Sequence, residues 1–536
     1  MDVWDYIIVG AGSAGCVLAD RLSADPTKRV LLLEAGGSDR NPLQRVPLAG
    51  VFLNYGHAKR DWRYQTDPDP TRNNRSDAWP RGRLLGGTSS MNGMIYVRGA
   101  PEDFDHWASL GNDGWRYADV LPVYKSMEDH EYAWENGAHA GEYGRGGPLK
   151  VKRIKGVHPL ANTFVSACAE LGIPTNDHYN AGDQEGAFII TATHSGRMRY
   201  SSAQAFLQPA RRRPNLQVMT GVHVERVLLE GRRAVGVLAR RPGEAEARPY
   251  RAGTVVLSGG AVNSPQLLLL SGIGPAAHLR DMGVEVRHDL PGVGRNLQDH
   301  PNCAVQAKVN VPTLDWQLWP RITDGMNWLF YGRGTYASAA AQGVAFARSS
   351  DSLSRPDIQV HIMPLAFNVT PNGKTEFASA TITLQSNVSR PRSRGYIELR
   401  SPDPMAAPVM QPNMLADPDD IQRLTRAGQL CRQILDTEAF RPHVVKEVFP
   451  GRPLESDLDW EAHLRETAAS GAHQCGTCKM GVDEMAVVDP QLKVRGIDGL
   501  RVADASIMPT ITSGNTNGPC MMIGGKAAQM ILRDSN

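Results

Sequence analysis

The sequence predicts an α/β protein with two domains, and three observations support this prediction. The chain has 536 residues, which exceeds the size at which one hydrophobic core usually continues to grow. Its first 37 residues follow the order strand, glycine-rich turn, helix and strand, which is typical of a parallel-sheet unit. From about residue 310 to about residue 465 the pattern changes to the alternating strands of an antiparallel sheet.

The composition is typical of a soluble globular protein. Hydrophobic residues make up 41% of the chain, and the formal net charge is +2, so nucleic acid and anionic membranes are not expected as partners. The seven cysteines are an odd number and do not resemble a disulfide framework, which favours a reducing compartment. Neither a signal segment nor an apolar run of the roughly 20 residues that span a membrane is visible. We therefore expect a cytoplasmic protein.

The first element is the apolar strand in "DYIIVG", followed by a turn through Gly10, Gly12 and Gly15 and then by helical spacing. A second strand, "RVLLLE", ends on Glu34. In such units the glycines permit a tight turn, close approach of a pyrophosphate and close helix packing, while the acid accepts hydrogen bonds from ribose hydroxyls. The unit predicts a dinucleotide site. NAD and FAD share the adenosine diphosphate that it binds, so the unit does not distinguish them.

The later elements predict a second sheet after an interruption. Residues 46 to 80 have the composition of an irregular excursion or lid. Residues 215 to 257 alternate apolar and polar positions, which predicts strands of a discontinuous nucleotide domain. The stretches "DIQVHIMP", "ATITLQS" and "GYIELRS" predict antiparallel strands. After them, Asp417 is expected to cap an amphipathic helix that has Pro418 in its first turn.

The segment "GAHQCGTCKM" places His473, Cys475 and Cys478 within six positions of one another. This spacing leaves three interpretations open: metal ligands, a redox dithiol, or a catalytic histidine beside structural neighbours. A metal site would require a fourth ligand, and no second cluster of cysteine or histidine is evident. The segment itself does not decide between a dithiol and a lone histidine.

Three further stretches, considered together with the first unit, match the sequence motifs of one protein family. They are "GRLLGGTSSMNGMIYVRG" at 82–99, "GAVNSPQLLLLSGIGP" at 260–275, and the C-terminal run from "HQCGTCKMG" through "GLRVADASIMPTITSGNTNGPCMMIGGKAA". With them the chain resembles, nearly end to end, the glucose-methanol-choline family of FAD-dependent oxidoreductases. The resemblance implies FAD, a Rossmann-like domain of the glutathione-reductase type, a second α+β domain on a mostly antiparallel sheet, and oxidation of an alcohol to a carbonyl.

The resemblance also implies a division of the chain and a set of cofactor contacts. The FAD-binding domain comprises residues 1–45, 80–155, 200–310 and 466–536, and the lid and substrate-binding domain comprises 46–79, 156–199 and 311–465. Met91 stands where some members attach the flavin through a histidine, so the flavin is expected to be noncovalent. The resemblance places Val224 at the adenine, and Asp504 and Ala505 over the ribityl and pyrophosphate chain. The other implied cofactor contacts are Gly87, Thr88, Asn92 and Gly93.

Alcohol oxidation needs a base that takes the hydroxyl proton while a hydride leaves the carbon. Histidine fits this role because its ordinary pKa lies near neutrality. By resemblance His473 is the base, and Asn517 occupies the second active-site position, where its amide bonds the substrate oxygen. The chemistry requires no thiol, so Cys475 and Cys478 are expected to pack in the core, without a metal. His300 is expected to be a structural hydrogen-bonding residue.

The substrate is predicted from one local comparison. Gln342 stands where choline-oxidising members carry a glutamate, and three alanines precede it, which predicts a roomy and uncharged pocket for a primary alcohol. Three alternatives remain: a choline dehydrogenase or oxidase, a protein similar to hydroxynitrile lyases of the same family, and a non-catalytic flavoprotein. The motifs leave the electron acceptor, oxygen or a quinone-like compound, and the oligomeric state open.

Overall fold

A computed structural model describes residues 3–314, 318–332, 334–369 and 375–534 of the chain. The α-helices in these ranges are α1 (Ser13–Leu22), α2 (Pro47–Asn54), α3 (Pro101–Ser109), α4 (Tyr117–Met127), α5 (Pro159–Glu170), α6 (Gln208–Ala210), α7 (Gly260–Leu270), α8 (Ala276–Asp281), α9 (Leu318–Tyr331), α10 (Pro418–Asp436), α11 (Asp457–Thr467) and α12 (Asn517–Asp534).

The strands in the same ranges are β1 (Val3–Val9), β2 (Val30–Glu34), β3 (Tyr64–Gln65), β4 (Ala78–Trp79), β5 (Glu128–His130), β6 (Leu149–Arg153), β7 (Gly186–Ile189), β8 (Thr191–Ser195), β9 (Met198–Arg199), β10 (Leu216–Thr220), β11 (His223–Glu230), β12 (Arg233–Arg240), β13 (Arg248–Leu257), β14 (Ile273–Gly274), β15 (His288–Asp289), β16 (Pro301–Val309), β17 (Gly343–Ala347), β18 (Ile358–Met363), β19 (Ala366–Val369), β20 (Thr375–Ala378), β21 (Thr381–Val388), β22 (Tyr396–Glu398), β23 (Val409–Gln411), β24 (Val444–Phe449), β25 (Ala469–Ser470) and β26 (Leu500–Val502).

The first large sheet combines strands from three distant parts of the chain. Its order is β10, β2, β1, β13, β12 and β11. β12 pairs with the N-terminal part of β13, and β26 pairs with its C-terminal part. The β10, β2, β1, β13 and β26 pairings are parallel, whereas β11, β12 and β13 pair antiparallel. β2 is buried along its whole length, as expected of a parallel strand covered on both faces. The prediction of a Rossmann-like sheet is confirmed.

The second large sheet is antiparallel throughout. Its order is β24, β16, β21, β18, β17 and β7, and β25 pairs with β16 beside β24. Helix α10 packs on this sheet, and the Asp417 side chain accepts a hydrogen bond of 2.9 Å from the Asp419 N–H at its start. The predicted cap and the mostly antiparallel second sheet are therefore confirmed.

Two local predictions need correction. Residues 46 to 80 were expected to be irregular, but residues 47–54 form α2, in which Pro47 occupies the first turn and the apolar residues "PLAGV" are buried. The stretch "GYIELRS" forms β22, which pairs with β23 in a separate two-stranded sheet rather than in the large one. Within the described ranges, no helix combines the length and the apolar character that crossing a membrane requires.

Candidate active site

The glycine-rich turn between β1 and α1 has the geometry that the sequence predicts for it. Gly10 has a φ of +99°, and a Cβ on Gly15 would lie 1.9 Å from the Gly10 carbonyl oxygen. The same atom on Gly12 would lie 3.9 Å from its nearest neighbour, the Ser258 oxygen. Gly10 and Gly15 are thus required by the turn and by helix packing, whereas Gly12 leaves open space for a ligand.

Glu34 closes this unit at the end of β2. Its carboxylate accepts hydrogen bonds from the backbone N–H groups of Ala11 at 2.9 Å and Gly36 at 2.7 Å. Burial raises the pKa of Glu34 to about 7, against the opposing effect of these two bonds. The carboxylate therefore ties the turn to the second strand, and its remaining lone pairs lie at a cavity wall that also includes Val224.

The "GGTSSMNG" segment passes close to the first unit. Gly87 has a φ of +52°, and a Cβ there would lie 2.8 Å from the Cα of Gly12. A Cβ on Gly93 would meet no atom within 4 Å, so this residue also borders open space. The amide oxygen of Asn92 accepts hydrogen bonds from the Met94 N–H and from the guanidinium of Arg199, both at 3.0 Å. The Asn92 side chain is therefore held in one orientation at the cavity.

Asp504 connects the C-terminal run to α7. Its carboxylate accepts hydrogen bonds from the Gly260 N–H at 2.8 Å and from the Ser264 hydroxyl at 2.6 Å. It also accepts the Ser506 N–H at 2.8 Å, and Ala505 follows it at the cavity wall. These bonds fix the segment that the sequence assigned to the ribityl and pyrophosphate chain.

One cavity of about 1440 Å³ connects all of these segments. This volume exceeds the roughly 300–1000 Å³ of a usual small-molecule pocket, so it accommodates a dinucleotide together with a small substrate. The open space beside Gly12 and Gly93 and the backbone N–H groups at the start of α1 fit a cofactor of this kind. Of the predicted site residues, the cavity is lined by Gly10, Gly12, Glu34, Gly87, Thr88, Asn92, Gly93, Val224, His473, Asp504, Ala505 and Asn517.

His473 and an asparagine lie side by side in this cavity. The Nδ2 of Asn515 donates to the Nε2 of His473 over 3.1 Å. Asn517, which the sequence analysis selected for this place, instead accepts a hydrogen bond of 2.8 Å from the Ser13 hydroxyl. The structure thus brings Asn515 to the histidine and places Asn517 against the start of α1.

Asp299 holds the main chain at His473. One of its carboxylate oxygens accepts the backbone N–H groups of His473 at 2.8 Å and His300 at 2.9 Å. The other accepts the Gln474 amide at 2.8 Å and the Ser470 hydroxyl. Burial raises the pKa of Asp299 to about 6 in spite of these bonds.

The raised pKa of Asp299 predicts a pH-dependent stability. Because the carboxyl has an ordinary pKa of 3.8 and a folded pKa of about 6, the folded state binds its proton more tightly. The free energy of unfolding should therefore fall as the pH rises from about 4 to about 6, by up to about 3 kcal/mol. Asp299→Asn should remove this part of the pH dependence in urea unfolding of the purified protein. Asp351→Asn, at an exposed position, is the control, and identical pH slopes for both variants would contradict the prediction.

Gln342 does not lie at the cavity. Its side chain is fully buried, with its oxygen accepting the His158 N–H at 2.7 Å and its amide donating to the Ser338 hydroxyl at 2.8 Å. The cavity wall in this part of the chain consists of Ala340 and Ala341. The prediction of Gln342 as a pocket residue therefore needs correction, because its polar atoms are used to connect β17 to the start of α5.

Cys475 and Cys478 belong to the main hydrophobic core. Both are fully buried free thiols, and burial raises the pKa of each well above its ordinary value. Their environment agrees with the packing interpretation. In the part of the chain that the structure describes, histidine, cysteine and acidic side chains do not form a group of three suited to hold a metal ion.

Several residues of the site were not identified from the sequence. Arg199 is 1% exposed, and its guanidinium donates a hydrogen bond to the Asn92 amide oxygen. Burial lowers the pKa of Arg199 to about 10. Asp299 and Asn515 contact the His473 segment directly. The sequence analysis considered their neighbours instead, His300 as a structural residue and Asn517 as a site residue. The signal for Asn515 was present in "GNTNGP", where two asparagines stand two positions apart.

The fold and the cavity are those of a dinucleotide-dependent oxidoreductase, in which a Rossmann-like domain lines a cavity that also contains the His473 side chain. Comparison of sequences identifies the family. The profiles of the GMC oxidoreductase N-terminal and C-terminal domains match residues 4–302 and 391–524. The chain belongs to the GMC oxidoreductase family, and it is an FAD-dependent enzyme that acts on CH–OH groups.

Relatives and solved structures cover almost the whole chain. It is 42% identical to an oxygen-dependent choline dehydrogenase of Rhizobium etli, over 98% of this chain and 95% of the relative. It is 41% identical to an alcohol dehydrogenase [acceptor] of Pseudomonas putida, over 99% and 96%. The crystal structure of pyridoxine 4-oxidase from Mesorbium loti superposes with a TM-score of 0.88 at 31% identity and covers 98% of both chains.

Proposed function

We propose that this enzyme oxidises an uncharged primary alcohol to the aldehyde, with His473 as the base. The observation that carries the proposal is the pair of His473 and Asn515 in the cavity that the cofactor segments line. Asn515 takes the place in this pair that the sequence analysis gave to Asn517. The pair supplies one acceptor for a proton and one donor to an oxygen, which is what removal of a hydroxyl proton requires.

The protonation state of His473 fits a base. Burial, followed by the neighbouring His300 and His361, lowers the pKa of His473 well below its ordinary value. The imidazole is therefore neutral at neutral pH, and its Nε2 lone pair, which accepts the Asn515 amide in this structure, is the one that the alcohol must reach. In the proposed step the alcohol transfers its hydroxyl proton to the Nε2 of His473, while the carbinol carbon loses a hydride and becomes the aldehyde carbon. FAD, when bound, supplies the hydride acceptor.

Asn515 acts on the substrate oxygen. Its amide donates hydrogen bonds only from Nδ2, and this nitrogen lies 3.1 Å from the Nε2 of His473. As the hydroxyl proton leaves, negative charge develops on the oxygen, and a fixed donor at this point stabilises it more than it stabilises the neutral alcohol. The proposed division of roles is therefore proton acceptor at 473 and oxygen-binding donor at 515.

The walls of the cavity favour an uncharged substrate. Its acidic side chains, among the described residues, are Glu34, Asp61, Asp77 and Asp504. Asp61 accepts the backbone N–H groups of Gly56, Arg63 and Arg81, and Asp77 lies 2.7 Å from the Arg72 guanidinium. With Glu34 and Asp504, all four acids already accept hydrogen bonds from the protein, which leaves fewer of their lone pairs for a cationic substrate.

Choline is the principal alternative substrate, since a relative with 42% identity is named an oxygen-dependent choline dehydrogenase. A trimethylammonium group is usually bound by aromatic faces and a carboxylate. Aromatic rings are present at the cavity, including Phe52 and Trp62, but the wall of Ala340 and Ala341 carries no charge. The structure thus favours an uncharged alcohol, and the experiment below separates the two.

A substrate panel tests the proposed specificity. Purified FAD-loaded protein is mixed anaerobically with neutral primary alcohols and with choline, and the loss of flavin absorbance is recorded. We expect saturable reduction by neutral alcohols and negligible reduction by choline. Saturable reduction by choline at millimolar concentrations would contradict the proposal. Cyanohydrin cleavage with an unchanged flavin spectrum would instead identify a lyase.

The mode of flavin attachment gives a further prediction. Methionine 91 has no nucleophilic nitrogen with which to form the covalent bond that a histidine forms at this position, and its side chain is fully buried. We therefore propose that FAD is bound noncovalently. Denaturation with acid or guanidinium, followed by ultrafiltration, should release all of the yellow colour into the filtrate. Flavin that stays with the precipitated chain would contradict this prediction.

The remaining proposals concern the surroundings of the enzyme. We propose oxygen or a quinone-like compound as the electron acceptor, to be distinguished by supplying each to the reduced protein. We propose the cytoplasm as the compartment, supported by the seven free cysteines, six of which are buried. The division into a discontinuous FAD domain and a lid and substrate domain, with the boundaries given above, is retained as a proposal.

A further inference from the structure

A chain of hydrogen bonds leads from the antiparallel sheet to the proposed base. The Nε2 of His300 lies 3.0 Å from the carbonyl oxygen of Ser389. The Nδ1 of His300 lies 2.9 Å from the Nδ1 of His473, and the two rings are nearly perpendicular, with an angle of 80°. The Nε2 of His473 meets the Asn515 amide at 3.1 Å. The two imidazoles thus stand between one fixed acceptor and one fixed donor.

The two ends of this chain determine the position of each hydrogen. A carbonyl oxygen only accepts, so the Nε2 of His300 carries a hydrogen and its Nδ1, in a neutral ring, is an acceptor. The Nδ1 of His473 must then carry the hydrogen that joins the two rings, which leaves its Nε2 unprotonated. Asn515 gives the same result from the other end, because its amide nitrogen only donates.

Both rings are neutral at neutral pH, as this assignment requires. Burial lowers the pKa of His300 to about 4, and burial together with His300 and His361 lowers the pKa of His473 well below its ordinary value. The charged guanidinium groups of Arg81 and Arg390, which face these rings, also oppose a positive charge on them. Two hydrogens are therefore shared among four ring nitrogens.

Resting on the function proposed for His473, we propose that His300 is a positioning residue that holds His473 as the Nδ1–H tautomer, with its unprotonated Nε2 directed at the alcohol. Without the His300 acceptor, the Nδ1–H would be a buried donor without a partner. An Nε2–H, in contrast, is satisfied once the Asn515 amide turns its oxygen toward the ring, so loss of His300 favours transfer of the hydrogen to Nε2. In that tautomer the nitrogen at the substrate cannot accept a proton. His300 thereby acts on the reaction through the base and touches neither substrate nor cofactor.

The main chain at His473 does not depend on the His300 side chain. Asp299 accepts the His473 N–H at 2.8 Å, and the Gly471 N–H donates to the His300 carbonyl oxygen at 2.8 Å. Both contacts remain when the His300 ring is replaced. A substitution at this position therefore changes the hydrogen bonding of the His473 ring and leaves its backbone in place.

Two substitutions separate tautomer control from a simple packing role. In His300→Gln the amide oxygen can accept from the His473 ring while the amide nitrogen donates to Ser389, which preserves the pattern. His300→Leu fills a similar volume without an acceptor. His139→Leu, at an exposed position, serves as the control. Each FAD-loaded variant is labelled with ¹⁵N-histidine, and NMR spectra recorded without substrate report which nitrogen of His473 carries the hydrogen.

We expect the Nδ1–H tautomer of His473 in the unaltered protein, in His139→Leu and in His300→Gln, with similar rates of flavin reduction. His300→Leu should show the Nε2–H tautomer and reduce its flavin about 10- to 100-fold more slowly. An Nε2–H tautomer in the unaltered protein would overturn the inference, even where a variant fails to fold. Equal loss in the Gln and Leu variants, or an unchanged tautomer in His300→Leu, would also overturn it. Because the spectra need no substrate, their outcome is independent of whether His473 is the base.

Discussion

Replacement of His473 by alanine should slow reduction of the flavin by alcohol on the order of 10²- to 10⁴-fold, the range expected for loss of a general base. The neutral imidazole at the cavity is the acceptor proposed for the hydroxyl proton, and the His300 ring bonded to it is not among the residues that line the cavity. Anaerobic stopped-flow absorbance at saturating alcohol measures the rate of reduction directly.

A matched control makes the result specific to this residue. His139→Ala removes a histidine at the surface and should reduce its flavin at the rate of the unaltered protein. The FAD content and thermal midpoint of His473→Ala should remain near their original values, because Asp299 binds the backbone and not the ring. Reduction of His473→Ala at an unchanged rate would refute the role of this histidine as the base.

The second large effect is expected at Asn515. Asn515→Ala should slow flavin reduction on the order of 10²- to 10³-fold, as is typical when one donor to a developing oxyanion is lost. Asn517→Ala is the paired comparison, since the two residues share one motif and both line the cavity. Its side chain bonds the Ser13 hydroxyl, so its removal should weaken FAD binding more than it slows the chemical step.

The comparison decides between two assignments of the same role. Rates of reduction at saturating alcohol and FAD dissociation constants are measured for both variants. A larger rate loss in Asn517→Ala than in Asn515→Ala would restore the assignment made from the sequence. Equal and small losses in both variants would show that neither amide stabilises the substrate oxygen.

The geometry of the glycine-rich turn could be predicted from the sequence because its signals are local. The turn at Gly10, Gly12 and Gly15 depends on φ and on contacts within one strand–helix–strand unit, and all of these follow from neighbouring residues. Strands β10 to β13, β18 and β21 were predicted from their apolar and polar patterns, and β1 and β2 were predicted as apolar strands beside the glycine turn. The position of β22 outside the large sheet could not be predicted in this way, because the pairing partners of a strand are set by tertiary packing.

The substrate side was predicted less well because its contacts join distant segments. His300 and His473 are 173 positions apart, and no local pattern indicates that their rings meet. At "GNTNGP" the motif is evident, but the start of α12 at Asn517 decides which amide faces the His473 ring. Gln342 was selected by local alignment, whereas its hydrogen bond with the His158 N–H determines where its side chain points.

The sheet of the FAD domain combines strands from the two ends of the chain, and this has a consequence for synthesis of the protein. β26 lies beside β13, and α12 packs so closely on α1 that a Cβ on Gly524 would lie 2.6 Å from the Ala14 carbonyl oxygen. The ribosome must therefore release residues 500 to 534 before the nucleotide-binding half can close. A nascent chain arrested earlier would expose the flank of β13 to chaperones, and a premature stop codon near position 500 would abolish flavin uptake although every residue of the glycine turn had been translated.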